Sequence, residues 1–185
     1  MNRYIIGALA FLGLAILLIV LLFTGGGGKK TIAPTEPSLV SYADTNAVVK
    51  LVVDGPVVAP EDHNSVDVSV SQNSASVEVF QGYNGEVIAS KTYNNTENSF
   101  KNFLYSLYYA GYSKGGTSPY TSDIGLCSTG RTYDLYLTNN GQTLQHYWQT
   151  DCSGPKTFDG NLGLTITLFE KQIPNISNII ANANL

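Results

Sequence analysis

Two cysteines, two histidines, one domain arginine, one tryptophan and a crowd of tyrosines are the residues here with types suited to chemistry. Cys127 and Cys152 flank two strand-like runs, Thr132–Thr138 and Thr143–Thr150, joined by Asn139-Asn140-Gly141. An Asn-Gly turn folds such runs into a hairpin, because both residues tolerate positive φ. The hairpin carries the two sulfurs to its open end, so a disulfide is expected there. That pairing also sets Arg131 opposite Trp148, a guanidinium over an indole. The register lies two residues off the one the Asn140-Gly141 turn dictates, a gap that one bulge, or a loop centred on Asn139, closes. Zinc is excluded because the chain has only two Cys and two His. The pair is not a Cys-x-x-Cys motif. Thr150-Asp151-Cys152 falls one residue short of a sortase-like Thr-x-x-Cys, and no Arg follows Cys152.

The histidines suggest no catalyst on their own. His63 sits in the polar stretch Glu61-Asp62-His63-Asn64 and is expected in solvent. His146 shares a strand face with Leu144 and Trp148, as a half-buried sheet histidine. Glu61, Asp62 and Asp67 lack the spacing of a calcium loop and read as a solvated acidic segment. No phosphate loop, nucleophile elbow or His-Glu-x-x-His occurs, so no metal, cofactor or catalytic residue is assigned. The tyrosines are more informative. Ten of twelve fall between Tyr83 and Tyr147. Tyr105, Tyr109 and Tyr112 point away from the apolar side of a helical segment, with Tyr108 at the boundary. Tyrosine suits binding surfaces, because it offers an apolar ring and a polar tip. The candidate binding surface is therefore Tyr105, Tyr108, Tyr109, Tyr112, Arg131 and Trp148.

These residues need a scaffold, and periodicity supplies one. Val48–Val53 is a strand, broken by Asp54-Gly55-Pro56, with Val57-Val58 as a short resumption. Val66, Val68 and Val70 alternate with polar residues, as do Val77 and Val79. Asn84-Gly85 turns the chain into the strand Val87–Tyr93. The period then changes: Phe100, Phe103, Leu104 and Leu107 line one side of a helix over residues 98–112, capped by Asn98 or Ser99 and ended by Gly111. Residues 162–173 fit helix or strand. The helix is preferred, because Asp159 can cap it and Pro174 can end it. A helical turn follows at Ile176–Ile180. Hairpin-joined strands with interspersed helices predict an α+β domain, an antiparallel sheet with two or three helices packed on one face.

Ahead of this domain, Tyr4 to Phe23 is a run of twenty uncharged residues. A helix of that length matches the roughly 30 Å hydrocarbon core of a bilayer. The expected plan is a retained transmembrane signal anchor over residues 1–24, a Gly/Pro/Thr linker over 25–46, and a domain over 47–185. Lys29 and Lys30 balance Arg3, so flanking charge does not orient the anchor. The disulfide does, because it requires an oxidising compartment. The expected location is the cell membrane, single-pass, with the C-terminal domain outside the cytoplasm. Beyond residue 30 the chain holds seven Lys/Arg against fourteen Asp/Glu. That acidic balance excludes nucleic acid as a partner. Anchor, linker and disulfide-stapled domain together resemble single-pass bacterial envelope proteins, a likeness of architecture that assigns no residue roles. The leading expectation is an envelope binding or accessory module that contacts the bilayer through residues 4–23 and another envelope protein or cell-wall glycan through its domain. A structural subunit of a pilus or secretion apparatus is the first alternative, and an enzyme with a site near His146 the second.

Overall fold

A computed structural model describes residues 38–180, 183 and 185. The anchor over residues 4–23 and most of the linker lie outside the described residues. Among the described residues, no helix is long and apolar enough to cross a membrane.

Among the described residues, the protein is α+β, with one six-stranded antiparallel sheet and three helices. After a short 3-10 helix at Leu39–Tyr42 come four strands: β1 (Ala47–Asp54), β2 (Asn64–Ser71), β3 (Ser74–Gln81) and β4 (Glu86–Asn94). Helix α1 (Glu97–Ala110) follows, then the hairpin β5 (Thr132–Asn139) and β6 (Gln142–Thr150), then helices α2 (Leu162–Glu170) and α3 (Ile176–Ile179). The strand order is β4-β3-β2-β1-β5-β6. The connection through α1 therefore leaves one edge of the sheet and re-enters beside β1.

Alternation decides which face is buried. Val49, Leu51, Val66, Val68, Val70, Val77, Val79, Leu135 and Leu137 point to one side and form a core with the inner faces of α1 and α2. Phe100, Phe103, Leu104, Leu107 and Ala110 are the buried side of α1. Phe103 meets Phe169 of α2 edge-to-face, with ring centroids 5.2 Å apart. The opposite face of the sheet carries Lys50, Asp67, Asp134, Tyr136 and His146.

Several local expectations are corrected. Helix α1 is capped by Thr96, whose side chain accepts from the Ser99 amide, rather than by Asn98 or Ser99. Residues 162–170 are helical, but the cap is Asn161 and not Asp159. Val57-Val58 is no strand: it lies in a strap between β1 and β2. The β3–β4 turn is a four-residue loop with positive φ at Gly82 and Gly85, so Asn84 needs no left-handed backbone. The β5–β6 turn is the expected one, with φ of 50° at Asn140 and 78° at Gly141.

The two sheet edges differ. Strand β4 is largely exposed along its nine residues. At β6, the amides of Thr157 and Phe158 donate to the Trp148 carbonyl, and the Trp148 amide donates to Thr157 Oγ1. The final stretch of that edge is therefore covered by the chain itself.

Candidate functional site

Cys127 and Cys152 form a disulfide with Cα atoms 5.6 Å apart. The register of the hairpin is not the one expected from it. At the tip, Asn139 pairs with Gln142 and Thr138 with Thr143. An irregularity at Leu137/Thr138 then inserts Leu144, so that Leu137 faces Gln145 and Asp134 faces Trp148. The bulge shifts the strands away from the expected register. Cys127 reaches Cys152 because it lies outside β5, at the end of a loop that returns through Ser128–Arg131.

The expected Arg131–Trp148 pair is absent, since the turn and the bulge together set Trp148 opposite Asp134. Arg131 Nε contacts Asp151 Oδ2 at 3.2 Å in an exposed position, an interaction of little energetic weight. Trp148 is buried. Trp148 is therefore no part of an open surface, whereas Arg131 is exposed.

Three of the four stripe tyrosines are exposed. Tyr105, Tyr108 and Tyr109 are 46%, 52% and 80% exposed on the outer side of α1. Asn98, Lys101 and Asn102 share that exposed side. The Tyr108 and Tyr109 rings meet edge-to-face at 5.5 Å. A shallow cleft of about 330 Å³ adjoins them, lined by Tyr108, Tyr109, Gly111, Ser113 and Lys114.

Tyr112 is the exception. It is fully buried, with its hydroxyl 2.8 Å from the Tyr136 carbonyl oxygen and 3.1 Å from that of Lys50. Burial pushes that hydroxyl's pKa far above the ordinary tyrosine value. The cause is the helix end. Gly111 adopts φ of 80°, and the Tyr112 amide donates to the Leu107 carbonyl. This is a Schellman closure, which turns the residue after the left-handed glycine inward onto the helix.

The open face of the sheet holds two arrangements that the sequence did not announce. His146 is half-exposed, and its Nε2 lies 2.5 Å from Asp134 Oδ1. Its ring stacks on Tyr136 at 4.2 Å with 5° between planes. Lys50 lies 5.5 Å from the same tyrosine ring and is bonded to Asp67 at 2.9 Å. Burial raises the Asp134 pKa, while the His146 hydrogen bond lowers it. Burial, with the negative charges of Asp134, Asp123 and Asp67, pushes the Tyr136 hydroxyl up to about 12.

His63 forms the second arrangement, and the expectation that it is solvated is wrong. It is 4% exposed and paired with Asp54, with its ring stacked on Tyr83 at 4.1 Å. Both cysteines are oxidised, so neither histidine has a thiol to activate. Among the described residues, no group of three Cys, His, Asp or Glu side chains converges as a metal site. Set against known proteins, the chain matches no family model and no curated protein sequence.

Proposed function

We propose that the chain is a membrane-tethered binding module. Its folded domain stands outside the cytoplasm and binds another envelope component, protein or glycan, through the outer side of α1. One observation carries this reading. Helix α1 seals its inner side completely, yet leaves Tyr105, Tyr108 and Tyr109 between 46% and 80% exposed on the other. Surrounded by Asn98, Asn102 and Ser106, they give the Tyr, Asn and Ser composition of adaptable binding surfaces. Rigid aromatic anchors flanked by small polar groups bind at low entropic cost. The disulfide supports the outside location, because such bonds persist in oxidising compartments. The apolar run Tyr4 to Phe23 supports the tether.

The test uses full-length protein and purified envelope fractions, both the insoluble glycan and the solubilised proteins. The Tyr105→Ser/Tyr108→Ser/Tyr109→Ser variant loses about 1,000-fold in affinity if two of these rings are hot spots of about 2 kcal/mol each. Its thermal stability stays unchanged. Equal binding by wild type and variant overturns the proposed face. External protease on intact cells tests the location, since a domain outside the cytoplasm is digested without lysis.

A further inference from the structure

His63 sits where the strap Gly55–Asp62 returns to the sheet. Its Nδ1 lies 3.2 Å from the Pro56 carbonyl oxygen, and its Nε2 lies 3.1 Å from Asp54 Oδ1. A carbonyl oxygen has no proton to give, and neither has an ionised carboxylate. Both contacts are hydrogen bonds only when the ring and the carboxyl hold two protons between them. One is on Nδ1, directed at Pro56. The other lies between Nε2 and Oδ1 and can rest on either atom. With one proton fewer, a ring lone pair faces an oxygen at about 3 Å in a buried place, an unmade hydrogen bond of the costly kind.

We propose that the His63–Asp54 pair is a proton-operated clasp that fastens the strap Gly55–Asp62 to the end of the sheet and releases it when the second proton leaves. The ends of the strap are tied to the sheet: the Gly55 amide donates to the Asn64 carbonyl at 3.0 Å, Gln81 Nε2 to the Glu61 carbonyl at 2.6 Å, and Asn64 Nδ2 to the Asp62 carbonyl at 3.2 Å. Its middle, at Val57 and Val58, has fewer ties. The Val58 amide donates to the Tyr83 hydroxyl at 3.1 Å, and that hydroxyl donates to the Val58 carbonyl at 2.8 Å. The Val57 amide donates to the Ser128 carbonyl at 2.9 Å, beside the disulfide. Tyr83 is itself stacked on the His63 ring, so loosening the ring loosens its hold on Val58.

The surrounding charges favour the closed form. Asp54 comes from β1, Tyr83 from the β3–β4 turn, and Glu61 and Asp62 from the strap. Asp123, in the loop before β5, and Asp67, on β2, add negative charge that acts on Asp54. Asp54 in turn opposes the ionisation of Asp134. Burial raises the Asp54 pKa and helps its carboxyl keep a proton, while His63 opposes that rise. The released strap would present Val57 and Val58, already 65% and 41% exposed, as a mobile apolar segment.

The test is amide exchange of Val57 and Val58 by NMR on full-length protein in detergent micelles, corrected for intrinsic rates, from about pH 5 to 8. Protection is constant at the low end and then falls about tenfold per pH unit, the slope of a one-proton release. Two variants separate in opposite directions. His63→Gln exchanges fast at every pH. Asp54→Asn stays protected at every pH, because its amide donates to Nε2 while Nδ1–H keeps Pro56. Wild-type protection that is flat across the range overturns the clasp. So does an unchanged slope in either variant that folds. Ring nitrogen shifts of the wild type provide the check that needs no variant: loss of the second proton must coincide with loss of strap protection.

Discussion

Breaking the Cys127–Cys152 bond gives the most quantitative test of the fold. The bond joins residues 25 apart in sequence. In the chain-entropy model, closing a loop of that size removes unfolded-state freedom worth about 3.5 kcal/mol. Little native strain offsets this gain, since the hairpin already brings the two backbones to 5.6 Å. Cys127 is buried, so its replacement adds a small packing loss. Cys127→Ala/Cys152→Ala is therefore expected to lose about 3–4 kcal/mol relative to the oxidised protein. For a domain of this size that is a fall in Tm of about 6–16 °C. Urea unfolding monitored by Trp148 fluorescence measures it directly, because the indole is buried beside the hairpin's open end. The denaturant slope should also rise, since the uncrosslinked chain unfolds further. A loss under about 1 kcal/mol would refute the argument and mean that the hairpin stays closed in the unfolded ensemble.

Other outcomes follow from the packing and the charges. Leu104→Ala, at a fully buried position facing the sheet, should cost about 2–5 kcal/mol in the same unfolding assay. Tyr112→Phe should lose about 1 kcal/mol by removing the hydroxyl that reaches the Tyr136 carbonyl, whereas Tyr109→Ser stays within about 0.5 kcal/mol. Gly115→Ala should destabilise, because an added Cβ would fall 2.4 Å from the Tyr147 ring; a neutral Tm refutes that close approach. The Asp134 carboxyl, with its folded pKa raised, binds more protons folded than unfolded, so its contribution to stability falls as pH climbs from the ordinary carboxylate value through the folded one. Asp134→Asn should remove that fall, and urea midpoints that track the wild type at every acidic pH would contradict it.

The sheet and its main helix were legible because their residues repeat. The valines of β2 and β3 alternate strictly, and the apolar residues of α1 recur at helical spacing. Asn140-Gly141 named its own turn. What escaped was set by single residues that change a register. The Asn140-Gly141 turn alone sets Trp148 opposite Tyr133 rather than Arg131, and the extra Leu144 moves it one further, to Asp134. Gly111 turned Tyr112 inward, and here a signal was present: an aromatic residue directly after a helix-ending glycine is the usual inward contact of a Schellman cap. The His–Asp pairs carried no such signal. His146 and Asp134 meet across a bulged hairpin. His63 meets Asp54 only because the strap doubles back, which a polar composition does not reveal.

The position of β1 has a consequence for synthesis. It is the first of the described strands to be made, yet it lies inside the sheet, between β2 and β5. Its pairing with β2 is available as soon as Ser71 emerges, but its other partner begins only at Thr132. At about 5–20 residues per second, the wait from Asp54 to Thr132 is about 4–16 s. Throughout it the valine-rich segment Val48–Val53 presents a raw edge, and raw edges recruit other chains. The risk is therefore greatest for chains stalled or truncated before the last hairpin. Such fragments should aggregate through β1, whereas the finished protein has that strand covered on both sides.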